Sequence, residues 1–203
     1  MEKYLNLELK ISEFNLGGIV MSINRKVRLV QAGYGAIVLT LMMQPMNMLG
    51  YGGYLWMIFM PLLLFFAFGA QFKIIPSMIV SYICGVVWAM VNGILIGILG
   101  NFLPAGAVNL VAPAIIIFCI LTVHENFLSK TIIGNIPALF MGLASTFFTF
   151  LIIPSNAPAI TPVHLIVFFI YGILLSLVLA GGGFMVCSLI FGKEKTIAVF
   201  EEK

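Results

Sequence analysis

The chain has 203 residues, of which 62% are hydrophobic and only 8% are charged, with a formal net charge of +3 at pH 7. Between Arg28 and Lys193 the only charged residues are Lys73, Glu125 and Lys130, whereas soluble domains carry charge on about a quarter of their residues. Such a stretch cannot form a water-exposed surface, so the composition excludes a soluble globular domain and predicts a protein embedded in lipid.

Residues 1–28 precede the first apolar stretch and form a predicted cytoplasmic N-terminal segment. Within it, residues 5–11 alternate apolar with polar side chains, which is typical of a strand or an extended binding segment. No partner strand is predicted, so we expect the segment to be flexible. Gly17-Gly18 lies just ahead of Met21, and glycine codons can form a purine-rich ribosome-binding sequence. Met21 is therefore an alternative to Met1 as the start of translation. We expect no secretory signal peptide, because a short apolar core with a cleavage pattern is missing.

Six apolar stretches follow, and each is predicted to be a transmembrane helix of a domain that spans residues 29–191. Glycine, proline and asparagine cluster between the stretches, where backbone donors and torsions change and helices end. The sixth stretch is longer than a bilayer requires, so Gly181–Gly183 is predicted to bend it or to end the crossing early. The predicted helices cover residues 29–49, 54–70, 75–98, 107–123, 131–153 and 163–191, and a charged cytoplasmic tail covers residues 192–203.

The distribution of lysine and arginine predicts the orientation. Arg25, Lys26 and Arg28 lie just before the first helix, which places the N-terminus in the cytoplasm. With six crossings, all ten Lys and Arg residues fall on the cytoplasmic side, and the loops on the other side carry no charge. The predicted fold class is therefore an all-α membrane protein with six transmembrane helices and both termini in the cytoplasm. A re-entrant loop in place of one helix is the alternative, and it would break this charge agreement.

Small side chains recur at every fourth position in the third, fifth and sixth helices, so each set forms a ridge along one helix face. Such ridges let helix backbones approach closely in lipid, and we expect these three helices in the middle of the bundle. The second helix is bulky nearly all round and is expected to face lipid. The alternative is that some ridges line a narrow path. The predicted packing residues are Ser81, Gly85, Ala89, Gly93 and Gly97 in the third helix, Gly134, Ala138 and Gly142 in the fifth, and Gly172, Ser176 and Ala180 in the sixth.

No Asp, Glu, Lys or Arg is predicted in the middle of a helix, which argues against proton- or ion-coupled carriers, since these need an ionisable group in the membrane. The remaining polar groups are neutral, and they can bond an uncharged solute or a neighbouring helix. Gln44 before Pro45 and Asn135 before Pro137 lie at proline breaks, where helices expose backbone groups. A plain kink with a helix cap is the alternative there. The predicted solute contacts are Gln44, Asn92, Asn135 and Pro137.

Aromatic and histidine side chains are predicted at the membrane interfaces. Tyr51, Tyr54 and Trp56 are expected to anchor the outer interface, where aromatic rings are enriched. His124 is expected in a cytoplasmic loop and His164 at the outer start of the sixth helix. Solvation at the interface is the expected role of both histidines, and a pH-dependent gate is the alternative.

Chemistry-bearing motifs are missing from the chain. No catalytic triad, zinc-binding HExxH or phosphate-binding loop is present, so we expect neither an enzyme nor a cofactor. Cys84, Cys119 and Cys187 fall in apolar helices without a CxxC pair, which predicts reduced thiols and no metal site. We expect no nucleic-acid binding, because no basic stripe with interleaved aromatic residues is present.

Two parts of the sequence resemble each other. Pro61–Val91 and Pro113–Phe148 each contain an apolar run, a turn with a lysine and a small-residue helix. In this comparison the segment that begins at Cys84 aligns with the segment that begins at Met141. Both hairpins would cross the membrane in the same order, which predicts a parallel repeat rather than an inverted one. General hydrophobicity is the alternative explanation for the likeness.

From about residue 29 onward the chain resembles the YcdZ-like family of small bacterial inner-membrane proteins, a domain of unknown function. The resemblance rests on Gly85-Val86-Val87-Trp88-Ala89-Met90-Val91 in the third helix and on the Pro137–Gly142 region of the fifth. It implies a multi-pass protein of the bacterial cytoplasmic membrane, and it supplies no established substrate or catalytic residue.

These features predict a small permease or channel for an uncharged or weakly polar solute, assembled as a homo-oligomer in the lipid bilayer. The reasons are a polytopic body without a sizeable soluble domain and neutral polar groups near proline breaks. The alternative is a non-transporting membrane subunit that binds a partner protein through its helices or its N-terminal segment.

Overall fold

The computed structural model describes residues 15–16, 19–20, 22–151 and 158–201. The chain divides into two compact units, one formed by Met1–Gln44 with Leu177–Lys203 and the other by Pro45–Ser176. Most of the predicted N-terminal segment, including its alternating residues 5–11, lies outside the described residues.

The described residues are helical apart from turns and one short antiparallel pair of strands, β1 (Asn15–Leu16) and β2 (Ile19–Val20). This confirms the predicted all-α class. Short 3₁₀ turns at Gly52–Tyr54 and Phe72–Ile74 precede the second and third helices, and a π turn at Val178–Gly182 precedes the seventh. The helices are α1 (Ile23–Met48), α2 (Trp56–Ala67), α3 (Ile75–Leu99), α4 (Ala105–Asn126), α5 (Ile136–Leu151), α6 (Pro162–Leu177), α7 (Gly183–Phe191) and α8 (Lys193–Glu201).

Each predicted apolar stretch falls on a helix, but the helices differ in length. Two of the apolar helical segments, Gly52–Ala67 and Ile136–Phe150, are shorter than the roughly 20 residues that a regular crossing needs. The other segments support a protein embedded in a membrane. Four described segments are long and apolar enough to cross: Ile23–Met48, Phe72–Leu99, Ala105–Asn126 and Pro162–Phe191.

The first unit has its core where α1, α7 and α8 meet. Val27 and Cys187 are fully buried there, and Val199 is 5% exposed. The Cys187 thiol donates to the Val27 carbonyl oxygen at 3.6 Å, and the rings of Phe184 and Phe200 pack edge to face. Residues 193–201 therefore belong to the folded protein.

Helical structure in this unit extends beyond two of the predicted apolar boundaries. The first helix begins at Ile23 rather than at residue 29, because the intervening Arg and Lys residues are good helix formers. The predicted charged tail forms α8, with Thr196 and Val199 buried. Gly192 has a φ of 88°, a left-handed conformation that favours glycine and ends a helix. The chain can therefore turn at Gly192 and place an amphipathic helix against its neighbours.

A tyrosine bonds the backbone at the π turn. The Tyr34 hydroxyl donates to the Val178 carbonyl oxygen at 3.0 Å. A π turn disrupts the regular backbone ladder of an α-helix, so this side chain supplies a partner to a carbonyl at the disruption. Gly182 lies directly against the Tyr34 hydroxyl, where a Cβ would overlap it. The bend predicted from Gly181–Gly183 thus corresponds to a π turn with a specific tyrosine contact.

The second unit is organised around α3 and α5, which make the most extensive helix contact among the described residues. The two helices run in the same direction, since Ser81 contacts Asn135 and, one turn later, Gly85 contacts Leu139. Gly85 of α3 lies directly against the Leu139 backbone of α5, and a Cβ at Gly85 would overlap the Leu139 carbonyl oxygen. Gly142 of α5 lies in the same way against the Tyr82 carbonyl of α3. Because neither glycine has a side chain, the two backbones touch, and close packing of this kind stabilises helix pairs in lipid.

Two further helices cover this pair. α4 packs against it through Ile116 and Ile120, which form one buried cluster with Ala89, Leu139 and Leu143. α2 packs directly against α5. The α3–α5 crossing therefore has apolar helices on more than one side.

The prediction that the second helix faces lipid is wrong for half of α2, since six of its twelve residues are buried. Met57, Ile58 and Phe65 are at most 2% exposed. Gly172 of α6 lies directly against the Ile58 carbonyl and the Pro61 ring, with no room for a Cβ. Bulky side chains do not by themselves indicate lipid exposure, since a bulky helix packs closely against a face that carries glycine.

Replacing Gly85 with alanine tests the close approach of α3 and α5. Gly85→Ala is expected to lower the free energy of unfolding by about 1–3 kcal/mol, the usual cost of overpacking, because the methyl group would overlap the α5 backbone. Gly93→Ala is the matched control on the same helix, since a Cβ there meets nothing within 4 Å. The thermal unfolding midpoint in detergent should fall for the first variant alone, and equal midpoints would contradict the contact.

Candidate functional site

A network of hydrogen bonds holds the start of α5 against α3. The Asn135 backbone N–H donates to Ser81 Oγ at 3.1 Å, and the Ser81 hydroxyl donates to the Ile132 carbonyl at 3.4 Å. Asn135 Oδ1 accepts the Ala138 N–H at 3.1 Å, which is an N-cap bond. Pro137 lies in the first turn, where a helix loses no bond to a proline. The side chain of Asn135 is thus used in capping α5.

A second network joins α3, α4 and the loop before α5. The predicted loop position of His124 is wrong, since the residue lies within α4 and is 3% exposed. Trp88 Nε1 donates to His124 Nε2 at 3.2 Å, and His124 Nδ1 lies 2.9 Å from the Ile133 carbonyl oxygen. Indole is solely a donor and a carbonyl is solely an acceptor. In this arrangement His124 Nε2 accepts a hydrogen bond and Nδ1 faces an acceptor.

Asn92 differs from the other predicted solute contacts in being buried with an unused acceptor. It is 2% exposed, and its Oδ1 atom has no hydrogen-bond partner. Thr149 of α5 is 1% exposed, and its hydroxyl contacts the Met57 sulfur at 3.9 Å. A buried carbonyl without a partner costs about 1–3 kcal/mol. An unpartnered buried group in a native structure calls for an explanation, and a bound molecule that donates a hydrogen bond to it is one.

Other buried hydroxyl groups in this unit already have partners. Thr146 donates to the carbonyl of Gly142 at 2.8 Å, and Ser176 donates to that of Gly172 at 2.7 Å. These are bonds to the preceding helical turn, a common use of Thr and Ser in helices. The Tyr82 side chain forms a hydrogen bond with Ser145. The capacity to bond a solute is therefore concentrated at Asn92 and Thr149.

The four predicted solute contacts have separate surroundings, with Gln44 in the first unit and the other three in the second. Gln44 is exposed and donates to the Thr40 carbonyl of its own helix at 3.0 Å. Asn135 is bonded to Ser81, and positions 81 and 92 of α3 are about 16 Å apart along the helix axis. Asn92 thus lies at a different level of the helix pair from Asn135 and Pro137.

The predicted packing residues also divide into two groups. Two of the ridge glycines in α3, Gly93 and Gly97, are exposed, and a Cβ on either would meet nothing within 4 Å. Gly134 lies in the loop before α5, against the carbonyls of Leu128 and Ser129, and Ala180 is half-buried in the π turn. The buried members are Ser81, Gly85, Ala89, Ala138, Gly142, Gly172 and Ser176.

An aromatic cluster lies at the opposite end of α6 from its π turn. Tyr54 is 1% exposed, so its predicted role as an interfacial anchor is wrong. Its ring stacks on Phe168 with a centroid distance of 6.3 Å, and its hydroxyl donates to the Pro158 carbonyl at 3.4 Å. His164 Nδ1 accepts the Thr161 N–H at 3.1 Å. These contacts fix the first turn of α6.

Asn92 and Thr149 can form hydrogen bonds through uncharged side chains. Within residues 22–151 and 158–201, no group of three or more His, Cys, Asp or Glu side chains could hold a metal ion. Cys84, Cys119 and Cys187 are free thiols. An amide and a hydroxyl can orient a polar molecule without charge.

Comparison with known proteins assigns the chain to one family. A family described as Protein of unknown function (DUF1097) matches residues 30–189. The chain belongs to the DUF1097 family. The match confirms the predicted resemblance at the level of a domain of unknown function, and the DUF1097 region contains Trp88, Asn92, His124 and Thr149. No curated protein and no solved structure matches the chain.

Sequence reasoning missed two features of the DUF1097 region. Trp88 was identified only as one of the residues that carry the family resemblance. Its hydrogen bond to His124 spans 36 positions in the chain, which is too far for a local sequence pattern to show. Thr149 had a usable signal, since the alignment of Cys84 with Met141 also aligns Asn92 with Thr149.

Trp88→Phe tests the bond between α3 and α4. The variant leaves His124 Nε2 buried without a donor, which is expected to lower the free energy of unfolding by about 1–3 kcal/mol. Trp56→Phe is the matched control, because it also removes an indole, at a half-buried position. Thermal unfolding followed by circular dichroism should show a lower midpoint for Trp88→Phe than for Trp56→Phe. The reverse order would mean that the bond adds little.

Proposed function

We propose that this protein is a small permease or channel for an uncharged or weakly polar solute, acting in the bacterial cytoplasmic membrane. The observation that carries the proposal is the Asn92 amide, which lies buried between apolar helices with its carbonyl oxygen unpartnered. Polar groups inside a membrane are costly, and those that persist commonly have a function.

Neutrality of the helix pair supports an uncharged solute. Neither α3 nor α5 contains Asp, Glu, Lys or Arg. A permeating ion would lose its hydration without a compensating charge, at a cost that far exceeds that of a neutral molecule. Water, small amides and small polyols are therefore the solutes to test.

In this proposal all six apolar helices cross the membrane, with both termini in the cytoplasm. α5 has sixteen residues, or about 24 Å of helix, against a hydrocarbon core of about 30 Å. Such a mismatch costs fractions of a kcal/mol per Å and can be met by local thinning of the bilayer. The confinement of Lys and Arg to one side supports this topology.

A non-transporting subunit is the second candidate, and one observation favours it. Gly93 and Gly97 form an exposed small-residue edge on α3, with open space where a Cβ would lie. A helix of a partner protein could approach closely there, and so could a second copy of this chain. A stoichiometric partner that copurifies with the native protein, together with no solute flux, would favour this candidate.

Solute flux tests the proposed function directly. Proteoliposomes would be challenged with gradients of urea, glycerol, acetamide or ammonium salts in a stopped-flow light-scattering instrument. We expect relaxation faster than that of protein-free vesicles for at least one neutral solute, because a hydrogen-bonding path lowers the barrier to leaving water. Liposomes that contain protein and relax at the protein-free rate for every solute would count against a channel.

Topology can be tested separately from transport. Single cysteines would be placed in a chain whose Cys84, Cys119 and Cys187 are replaced by alanine, at Ser129 before α5 and at Ala107 near the start of α4. A membrane-impermeant maleimide added to intact cells should label Ala107→Cys and spare Ser129→Cys until the cells are opened. Labelling of both sites in intact cells would contradict six crossings in the proposed orientation.

A further inference from the structure

The contacts of the two central glycines are reciprocal. Gly85 and Gly142 are equivalent in the two resembling hairpins, at positions 57 apart in the chain (85 and 142). Each glycine meets the partner helix at the residues three before and one after the partner's glycine. These contacts are Gly85 with Leu139 and Leu143, and Gly142 with Tyr82 and Val86.

Reciprocity of this kind defines a local two-fold relation between α3 and α5. Two parallel helices that exchange identical backbone contacts are related by an axis that runs along them and passes between Gly85 and Gly142. Parallel repeats in membrane proteins have such an axis along the membrane normal. The sequence repeat and the contact geometry therefore agree on the same residue correspondence.

The same correspondence pairs Asn92 with Thr149. Each lies seven positions after its glycine, which is close to two full helical turns, so each lies on the same helix face as its glycine. Both are buried, at 2% and 1% exposure. Two polar side chains thus occupy equivalent places on the two sides of the axis, about 10 Å along the helices from the glycine crossing.

These two side chains retain capacity to bond a third group. Asn92 Oδ1 has no partner, and the Thr149 hydroxyl contacts a thioether sulfur at 3.9 Å, which is a weak acceptor. Thr146, one turn before Thr149, is already bonded to the Gly142 carbonyl. An amide carbonyl and a hydroxyl oxygen are both acceptors, so the group that would complete them is a donor.

We propose that Asn92 and Thr149 form the recognition point for a neutral solute that donates a hydrogen bond through N–H or O–H, of the size of a simple primary amide. This inference rests on the proposed function and specifies its solute class. The carbonyl of Asn92 receives the solute's donor, and Thr149 Oγ1 accepts a second donor or turns its own proton toward the solute carbonyl.

Asn92→Leu is the decisive variant, since leucine has a similar shape and removes the amide. The thermal unfolding midpoint of Asn92→Leu is expected to rise, because an unpartnered buried carbonyl is relieved. Asn126→Leu is the control, since Asn126 is exposed and donates to Thr122 of its own helix at 3.0 Å. A fall in the midpoint for Asn92→Leu would show that the amide is bonded within the protein, and would overturn the inference.

Solute selectivity is tested with a matched pair of solutes. Acetamide donates through its NH₂ group, whereas N,N-dimethylacetamide keeps the carbonyl and has no donor. Wild-type protein should be stabilised by acetamide relative to Asn92→Leu at the same concentration, and N,N-dimethylacetamide should give no such difference. Equal responses to the two solutes, or equal responses of the two proteins, would overturn donor recognition at this site.

Flux through proteoliposomes separates this inference from the proposed function. We expect acetamide-driven relaxation of wild-type vesicles to be accelerated, and Asn92→Leu and Thr149→Val to return it to the protein-free rate while Asn126→Leu leaves it unchanged. Acceleration that survives both substitutions would overturn the inference and leave the permease proposal standing. If wild-type vesicles show no acceleration but the stability difference with acetamide persists, transport fails and the binding site stands.

Discussion

Direct contact between the backbones of α3 and α5 is the constraint on which the second unit depends. In lipid no hydrophobic drive brings helices together, so dispersion and weak Cα–H···O contacts at close range must do it. Gly85 and Gly142 permit that range, because each lies where a Cβ would overlap a carbonyl oxygen of the other helix. The apolar cluster of Ile116 and Ile120 from α4 packs against the resulting pair.

Polar groups in this unit follow from the same crossing. Toward the start of α5, Ser81, Asn135 and His124 satisfy backbone groups of the loop and the first helical turn. That end of the helix pair is held by bonds within the protein. At the level of Asn92 and Thr149 the helices carry polar side chains whose capacity is not used in this way. The difference between the two levels is what distinguishes a structural network from a candidate binding site.

Hydropathy and small-residue spacing were enough to predict the apolar helices and the all-α class, because both depend on local composition. Gly85 and Gly142 were identifiable for the same reason, as members of small-residue ridges. The burial of α2 was not predictable, since it depends on Gly172 in a helix about 110 residues later. Asn92 was among the candidates, but no property of the sequence distinguished it from Gln44 or Asn135. That distinction depends on which amide finds a partner in three dimensions.

The local two-fold relation holds for the backbone and not for the side chains. Asn92 is equivalent to Thr149 in the two resembling segments, and Trp88 is equivalent to Ser145. Two identical subunits around a two-fold axis must present the same residue on both sides. Two helices of one chain are free of that requirement, because each can change its side chains alone. Different polar residues at equivalent backbone positions, such as Asn92 and Thr149, are therefore possible within one chain and impossible in a simple homodimer.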